Sequence, residues 1–109
     1  IVAGADLVPG KADAFFKRYG LENVRTYPSH KELIDNEELD AVSVCTPNKV
    51  HSTISIDFMR AGKDVLCEKP AARIYSEALE MQKGRRETGR LLNIGVCNRF
   101  NTRQTALKT

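Results

Sequence analysis

The sequence predicts an α/β fold in which a doubly wound parallel sheet carries helices on both faces. The main observation is that short apolar runs alternate with amphipathic stretches of about ten to fifteen residues, the pattern of βαβ units. A second is that glycines that commonly end helices follow the amphipathic stretches: Gly20, Gly62 and Gly89. A third is that polar side chains gather where the apolar runs end. Right-handed crossovers between parallel strands then place helices on both faces.

The first part of the chain is predicted to hold two strands and two helices. A strand spans residues 1–6, and a short strand spans 24–27. The helix between them, over 11–19, has apolar residues at the spacing of one helical face: Ala12, Phe15, Phe16 and Tyr19. Ser29, with Glu32 three residues later, predicts the N-cap of a short helix that reaches Ile34.

The second part is predicted to hold three strands and two helices. The strands span 41–45, 65–67 and 91–96, and the helix over 74–87 is the longest. The other helix, over 50–61, has one apolar face made of Val50, Ile54, Phe58 and Ala61. Thr46-Pro47-Asn48 ends the first of these strands because proline cannot donate to a sheet ladder.

The polar residues at the strand ends predict a ligand site. In doubly wound sheets, ligands bind outside the carboxyl ends of the strands. The residues at those ends are Asp6, then Thr46 with Asn48, then Glu68 with Lys69, then Asn98 with Arg99.

Composition excludes several classes of partner. A net charge of +3, from 17 basic and 14 acidic residues, is too small to indicate nucleic-acid binding. No apolar run approaches the roughly 20 residues of a membrane helix, so we expect no membrane partner. The three cysteines match no disulfide or zinc spacing, which indicates a reducing, cytoplasmic setting and no metal site. Each closes an apolar run and is expected to be a small buried residue.

Asp6 is a candidate cofactor ligand. An acid that ends a strand of a dinucleotide fold accepts hydrogen bonds from the adenosine ribose, and its charge repels the 2′-phosphate of NADP. The alternative is that Asp6 caps the turn that follows. Lys11 could reach a 2′-phosphate, so NADP stays possible beside NAD.

Thr46-Pro47-Asn48 leads into a helix, with His51 in its first turn. Backbone N–H groups at a helix start attract anions, and the hydroxyl and amide add hydrogen bonds. The alternatives are an ordinary helix cap at Thr46 or Asn48 and, for His51, a partly exposed surface histidine.

Glu68-Lys69-Pro70 is the clearest indication of a functional residue. Lysine rarely ends a buried strand unless it is paired with an acid or has a function. A lysine ammonium can polarise a carbonyl or assist proton transfer from an alcohol. The alternative is an exposed Glu-Lys pair in a turn.

Taken together, these segments resemble the Gfo/Idh/MocA family, the relatives of glucose–fructose oxidoreductase and inositol dehydrogenase. The resemblance covers nearly the whole chain, and the run from Ala61 to Pro70 is its most specific part. The segments with the family's order and spacing are Asp6-Leu-Val-Pro-Gly-Lys-Ala, Cys45-Thr-Pro-Asn with His51, Ala61-Gly-Lys-Asp-Val-Leu-Cys-Glu-Lys-Pro70 and Gly95-Val-Cys-Asn-Arg-Phe100.

The resemblance implies a Rossmann-like domain and a role for each matching residue. Lys69 would be the catalytic lysine, and the bond before Pro70, often cis in the family, would aim it into the cleft. The other residues implied to bind the cofactor or lie near it are Asp6 at the adenosine ribose, Thr46, Pro47, Asn48 and His51 at the pyrophosphate and nicotinamide side, Glu68 at the nicotinamide ribose, Pro70, and Asn98 with Arg99 at the crossover between domains.

The family's activity and assembly follow from the same resemblance. Its members pass a hydride between NAD(P) and a secondary alcohol of a sugar or cyclitol, and a homo-oligomer is implied when the protein is full length. Two alternatives are a non-catalytic dinucleotide-binding sensor or regulator of the same fold, and an NAD-dependent glycosidase of the same family. An intact Glu68-Lys69-Pro70 argues against the sensor, which has no use for the lysine.

The sequence also departs from the family's pattern. The pattern begins with a strand and a G-x-G-x-x-G loop and ends with a second α/β domain, and neither is present in these 109 residues. We expect residues 1–96 to be a partial NAD(P)-binding domain and 97–109 to cross into a substrate-binding domain. Because the missing strand is central in the order 3-2-1-4-5-6, we expect the sheet to be split. The piece alone should be inactive and unable to fold as a monomer unless a neighbouring copy or partner supplies the strand.

Overall fold

The computed structural model describes residues 1–96. Every predicted strand and helix is present, with boundaries within a few residues of those expected. In chain order the elements are β1 Ala3–Ala5, α1 Lys11–Arg18, β2 Arg25–Tyr27, α2 His30–Asn36, β3 Ala41–Val44, a 3₁₀ turn Asn48–Val50, α3 His51–Arg60, β4 Asp64–Glu68, α4 Tyr75–Thr88 and β5 Leu92–Gly95.

The ladders form two separate parallel sheets, β1–β2 and β3–β4–β5, as expected from the strand order. The chain divides into two compact units in the same way. One unit comprises Ile1–Leu39, and the other begins at Asp40. Among residues 1–96, no helix combines the length and the apolar character needed to cross a membrane.

In the first unit, α1 packs closely against β1. A Cβ placed on Gly4 would lie 2.5 Å from Cζ of the Phe16 ring, so only glycine leaves room for this ring. The rest of the predicted apolar face of α1 is not buried. Phe15 and Tyr19 are 54 % and 61 % exposed and pack on each other, with ring centroids 4.9 Å apart.

The other helix of this unit, α2, begins at the predicted cap and ends at a buried carboxylate. The Ser29 hydroxyl accepts a hydrogen bond from the Glu32 N–H at 3.2 Å. Glu37, just after α2, accepts from the Arg25 guanidinium and from the Tyr27 hydroxyl, the latter at 2.7 Å. These bonds, chiefly that from Arg25, lower the pKa of Glu37 to about 2. The three side chains therefore join the end of α2 to β2.

The second unit has a core between its sheet and the helices α3 and α4. The buried apolar side chains in it are Val44, Phe58, Met59, Val65, Cys67 and Met81. Gly84 lets the two helices approach, because a Cβ there would lie 3.3 Å from Ile56 and 3.4 Å from Met59. Burial of each large apolar side chain contributes about 1.5–3 kcal/mol.

The prediction of which side of α3 is buried is wrong. Val50, Ile54 and Ala61 are only half-buried. The buried residues are His51, Ser52, Ser55, Phe58 and Met59. Small serines can face a close neighbour where larger side chains cannot, and this choice is invisible to a pattern of apolar residues alone.

The expectation for the cysteines holds for only one of the two that the structure describes. Cys67 is fully buried, and burial raises the pKa of its thiol, which keeps it protonated and unreactive. Cys45 lies one residue beyond the end of β3 and continues the side of the strand on which Ala41 and Ser43 are exposed, so the prediction that it is buried is wrong. Cys97 lies outside the described residues.

Candidate functional site

In the first unit, Asp6 follows β1 and divides its two carboxylate oxygens between two tasks. Its Oδ1 accepts a hydrogen bond from the Val8 N–H at 2.8 Å, which is the turn-capping role left open by the sequence. Its Oδ2 lies 3.8 Å from the Lys11 ammonium. Because the turn engages Oδ1 rather than Oδ2 and the side chain is 32 % exposed, a ligand can reach Oδ2.

In the second unit, the loop after β3 presents Thr46, Pro47 and Asn48. Pro47 and Asn48 are exposed, and Asn48 opens the 3₁₀ turn that leads into α3. The Thr46 hydroxyl is buried and finds no hydrogen-bond partner among residues 1–96. An unsatisfied buried hydroxyl costs about 1–3 kcal/mol, so this atom is suited to a partner that residues 1–96 do not supply.

The end of β4 and the loop after it present Glu68, Lys69 and Pro70, all exposed. Glu68 is the last residue of β4 and pairs in register with Gly95 at the end of β5. The Lys69–Pro70 peptide bond is cis, as the resemblance implied. The Lys69 side chain is thus open to solvent at the carboxyl edge of the parallel sheet.

His51 connects these two loops. Its Nδ1 lies 2.7 Å from the carbonyl oxygen of Pro70, and its Nε2 lies 2.7 Å from the carbonyl oxygen of Thr46. The residue is 1 % exposed, so the alternative of a partly exposed surface histidine is wrong. The two loops that hold the predicted site residues of this unit are therefore joined through one buried ring.

The structure brings together Thr46, His51 and Pro70 and aligns Glu68 with Gly95. Asn98 and Arg99 lie outside the described residues, and their roles stay predictions. Gly95 appears in the family-like segment of the sequence but was given no function there. The signal that could have found it is strand register, since Glu68 and Gly95 both end adjacent parallel strands.

A sequence model of the Gfo/Idh/MocA group, described as an oxidoreductase family with an NAD-binding Rossmann fold, matches residues 1–96. The chain belongs to this family. Relatives of this chain include an inositol 2-dehydrogenase from Rhizobium meliloti, 34 % identical over 99 % of this chain and 32 % of its own length. A levoglucosan dehydrogenase from Pseudarthrobacter phenanthrenivorans is 33 % identical over 93 % of this chain and 24 % of its own length.

Solved dehydrogenase structures share the fold of this chain. The WlbA dehydrogenase from Chromobacterium violaceum, solved with NADH and UDP-GlcNAcA, superposes with a TM-score of 0.89 at 30 % identity. The match covers 98 % of this chain and 30 % of that protein. The chain thus spans about a third of the length of the curated relatives it matches. What it represents is the family's NAD-binding Rossmann domain.

Proposed function

We propose that this chain is the partial NAD(P)-binding domain of an oxidoreductase that passes a hydride between a nicotinamide cofactor and a secondary alcohol of a sugar or cyclitol. Residues 1–96 form the cofactor domain in this proposal, and 97–109 cross into the substrate-binding domain. The observation that supports it most is the exposed Lys69, which lies at the carboxyl edge of the parallel sheet between Glu68 and Pro70.

The polar atoms of the described residues fit NAD. In the first unit, Oδ2 of Asp6 is available to accept hydrogen bonds from a ribose hydroxyl, while Oδ1 is already used by the turn. In the second unit, the buried Thr46 hydroxyl lacks a partner within residues 1–96, which a bound dinucleotide could supply. Exposed Pro47 and Asn48 lie beside it at the start of a helical segment, where unpaired backbone N–H groups favour phosphate.

Each side chain then has a defined task. Glu68 binds the nicotinamide ribose, and Pro70 lies beside the cofactor. The Lys69 ammonium hydrogen-bonds the substrate oxygen, takes part in moving the hydroxyl proton, and stabilises negative charge on that oxygen. The nicotinamide, when bound, accepts or returns the hydride. Asn98 and Arg99 complete the site at the crossover between the two domains.

The test uses the full-length protein. It is assayed for reduction of NAD and NADP with myo-inositol, levoglucosan and UDP-GlcNAcA, because similar dehydrogenases are named for the first two and one was solved with the third. Lys69→Ala should lower kcat by about 10²–10⁴-fold, the usual contribution of a positioned acid–base group. Its Kd for NAD, measured by calorimetry, should change by less than about threefold, because the proposed contact of Lys69 is with the substrate oxygen and not with the cofactor.

Lys83→Ala is the matched control. Lys83 is an exposed lysine of α4 whose ammonium lies 3.9 Å from the carboxylate of Glu87 on the same helix, so its loss should leave kcat unchanged. A wild-type protein that binds NAD and responds to a sugar without turnover, with the response intact in Lys69→Ala, would favour the sensor over the enzyme. Cleavage of a glycoside without added cofactor would favour the NAD-dependent glycosidase.

A further inference from the structure

We infer that His51 is a positioning residue whose buried ring fixes the loop after β3 against the loop after β4 that presents Lys69. This inference deepens the proposed function and rests on it, because it assumes that the placement of Lys69 matters for turnover. It assigns His51 a task carried out through backbone carbonyls, since both ring nitrogens already contact carbonyl oxygens and neither is left for a cofactor.

The ring of His51 contacts one backbone carbonyl with each of its two nitrogens. Nδ1 lies 2.7 Å from the oxygen of Pro70, and Nε2 lies 2.7 Å from the oxygen of Thr46. A carbonyl oxygen only accepts, so a protonated ring nitrogen is the donor at either contact. The ring therefore lies between the two loops at hydrogen-bond distance from both.

The contacts lie where the sheet itself no longer holds the two loops together. The ladder between β3 and β4 ends at the pair Val44 and Cys67. Thr46 and Pro70 both lie beyond that pair. Each loop also contains a proline, Pro47 or Pro70, which has no N–H to donate to the other loop. His51, the first residue of α3, therefore supplies a side-chain contact between the two loops where the prolines offer no backbone donor.

This arrangement gives His51 a direct influence on Lys69. The Pro70 carbonyl is one residue from Lys69, so its fixed position sets the direction in which the lysine leaves the backbone. The Thr46 carbonyl belongs to the residue whose hydroxyl lacks a partner within residues 1–96. One ring thus holds a residue next to the proposed proton-transfer group and a residue of the proposed cofactor loop.

Two substitutions separate the two bonds in the full-length protein. In His51→Asn, the side-chain amide can replace Nδ1 and keep the bond to Pro70, while the bond to Thr46 is lost. In His51→Gln, the amide can replace Nε2 and keep the bond to Thr46, while the bond to Pro70 is lost. Ser55→Ala, which changes another buried residue of α3, is the matched control for disturbance of the core.

We expect the Gln variant to lose on the order of 10²-fold in kcat, the effect of a misplaced reacting group, with a change of less than about threefold in KM for NAD. The Asn variant should lose less than about tenfold, and Ser55→Ala should keep wild-type kcat. Equal losses in both variants, or losses that follow the fall in Tm across all three proteins, would show a merely structural role and overturn the inference.

A measurement that needs neither turnover nor a variant tests the ring itself. In wild-type protein labelled with ¹⁵N-histidine, NMR should show a His51 ring N–H that exchanges slowly with solvent, as expected of a buried ring that is hydrogen-bonded to a backbone carbonyl. Rapid exchange of the ring N–H would overturn the inference even if Lys69→Ala abolishes activity. Slow exchange in a protein without oxidoreductase activity would refute the proposed function and, with it, the link from His51 to turnover.

Discussion

The carboxylate of Glu68 lies directly over the backbone of Gly95 on the neighbouring strand. A Cβ added to Gly95 would be 3.1 Å from Oε1 and 3.5 Å from Cδ of Glu68. Parallel register pairs the two residues at the ends of β4 and β5, so the absent side chain leaves the space that the carboxylate occupies. Glycine at this position therefore sets where a proposed cofactor ligand lies.

Gly95→Ala should displace Glu68 and weaken NAD binding. Loss of about one hydrogen bond, near 1 kcal/mol, corresponds to roughly a fivefold rise in the Kd for NAD, measured by calorimetry on the full-length protein. In the Glu68→Ala background the same substitution should have no further effect, because it acts through the carboxylate. Fully additive effects would mean that Gly95 matters for another reason. Asn93→Ala, at an exposed position of β5, is the control.

Asp6→Asn should move the cofactor preference toward NADP. The amide keeps an oxygen for the Val8 N–H but removes the negative charge that repels a 2′-phosphate. The ammonium of Lys11, 3.8 Å from the Asp6 carboxylate, is then free to attract that phosphate. We expect kcat/KM for NADP relative to NAD to rise about tenfold, equivalent to about 1.4 kcal/mol.

Lys11→Ala in the Asp6→Asn background controls for this change and should reverse most of the gain. Asp6→Ala removes the turn cap as well as the charge, and should lower Tm further than Asp6→Asn does. An unchanged cofactor ratio in Asp6→Asn would place the adenosine ribose elsewhere.

Acid should destabilise the first unit through Glu37. Hydrogen bonds, first from Arg25 and then from Tyr27, hold the pKa of this carboxyl at about 2, against its ordinary 4.5. Between these values the unfolded chain binds a proton that the folded chain does not, so stability falls as the pH falls through this range and is fully present above it. The Tm of the full-length protein, followed from about pH 7 to about pH 3, should show this loss.

Glu37→Gln should lower Tm at neutral pH and flatten its fall below about pH 4.5, because the titrating group is gone. Glu87→Gln, which removes an exposed carboxylate of α4, should leave the shape of the curve unchanged. If Tm of Glu37→Gln fell with pH as steeply as Tm of the wild type, the acid sensitivity would arise from other groups.

Gly4→Ala should loosen the contact of α1 with β1. The new Cβ would stand 2.5 Å from the end of the Phe16 ring, which must swing away and lose its packing. We expect a loss of about 1 kcal/mol, the lower end for overpacking, because the tip of a ring can move. Urea unfolding of the full-length protein measures it. Adding Phe16→Leu should recover part of the loss, and a double variant less stable than Gly4→Ala would contradict this contact.

The sequence predicted the order and type of elements because local signals decide them. Ser29 caps α2 as expected, and Gly20, Gly62 and Gly89 adopt the positive φ that ends a helix. It could not predict which side chains those elements bury. Phe15 has helical spacing but stays exposed, while the polar Ser55 is fully buried, because burial depends on what packs against each face.

Only part of the candidate site could be predicted from the sequence. Chain order and parallel pairing place Thr46, Glu68 and Lys69 at the end of a strand or just beyond it. The contact of His51 with Thr46 and Pro70 joins three chain segments and needs their three-dimensional placement, so no local pattern announces it. Gly95 was missed for a related reason, since its importance comes from the residue beside it in register.

The most direct test of the central claim is transfer of deuterium to the cofactor. The full-length protein is supplied with NAD and with the best alcohol of the substrate screen, deuterated at its carbinol carbon. We predict one deuterium in the reduced nicotinamide for each molecule of ketone formed. Lys69→Ala should form ketone more slowly but transfer the same one deuterium per ketone. Ketone formed without deuterium in the cofactor would contradict the account. So would a protein that binds NAD but oxidises none of the sugars or cyclitols tested.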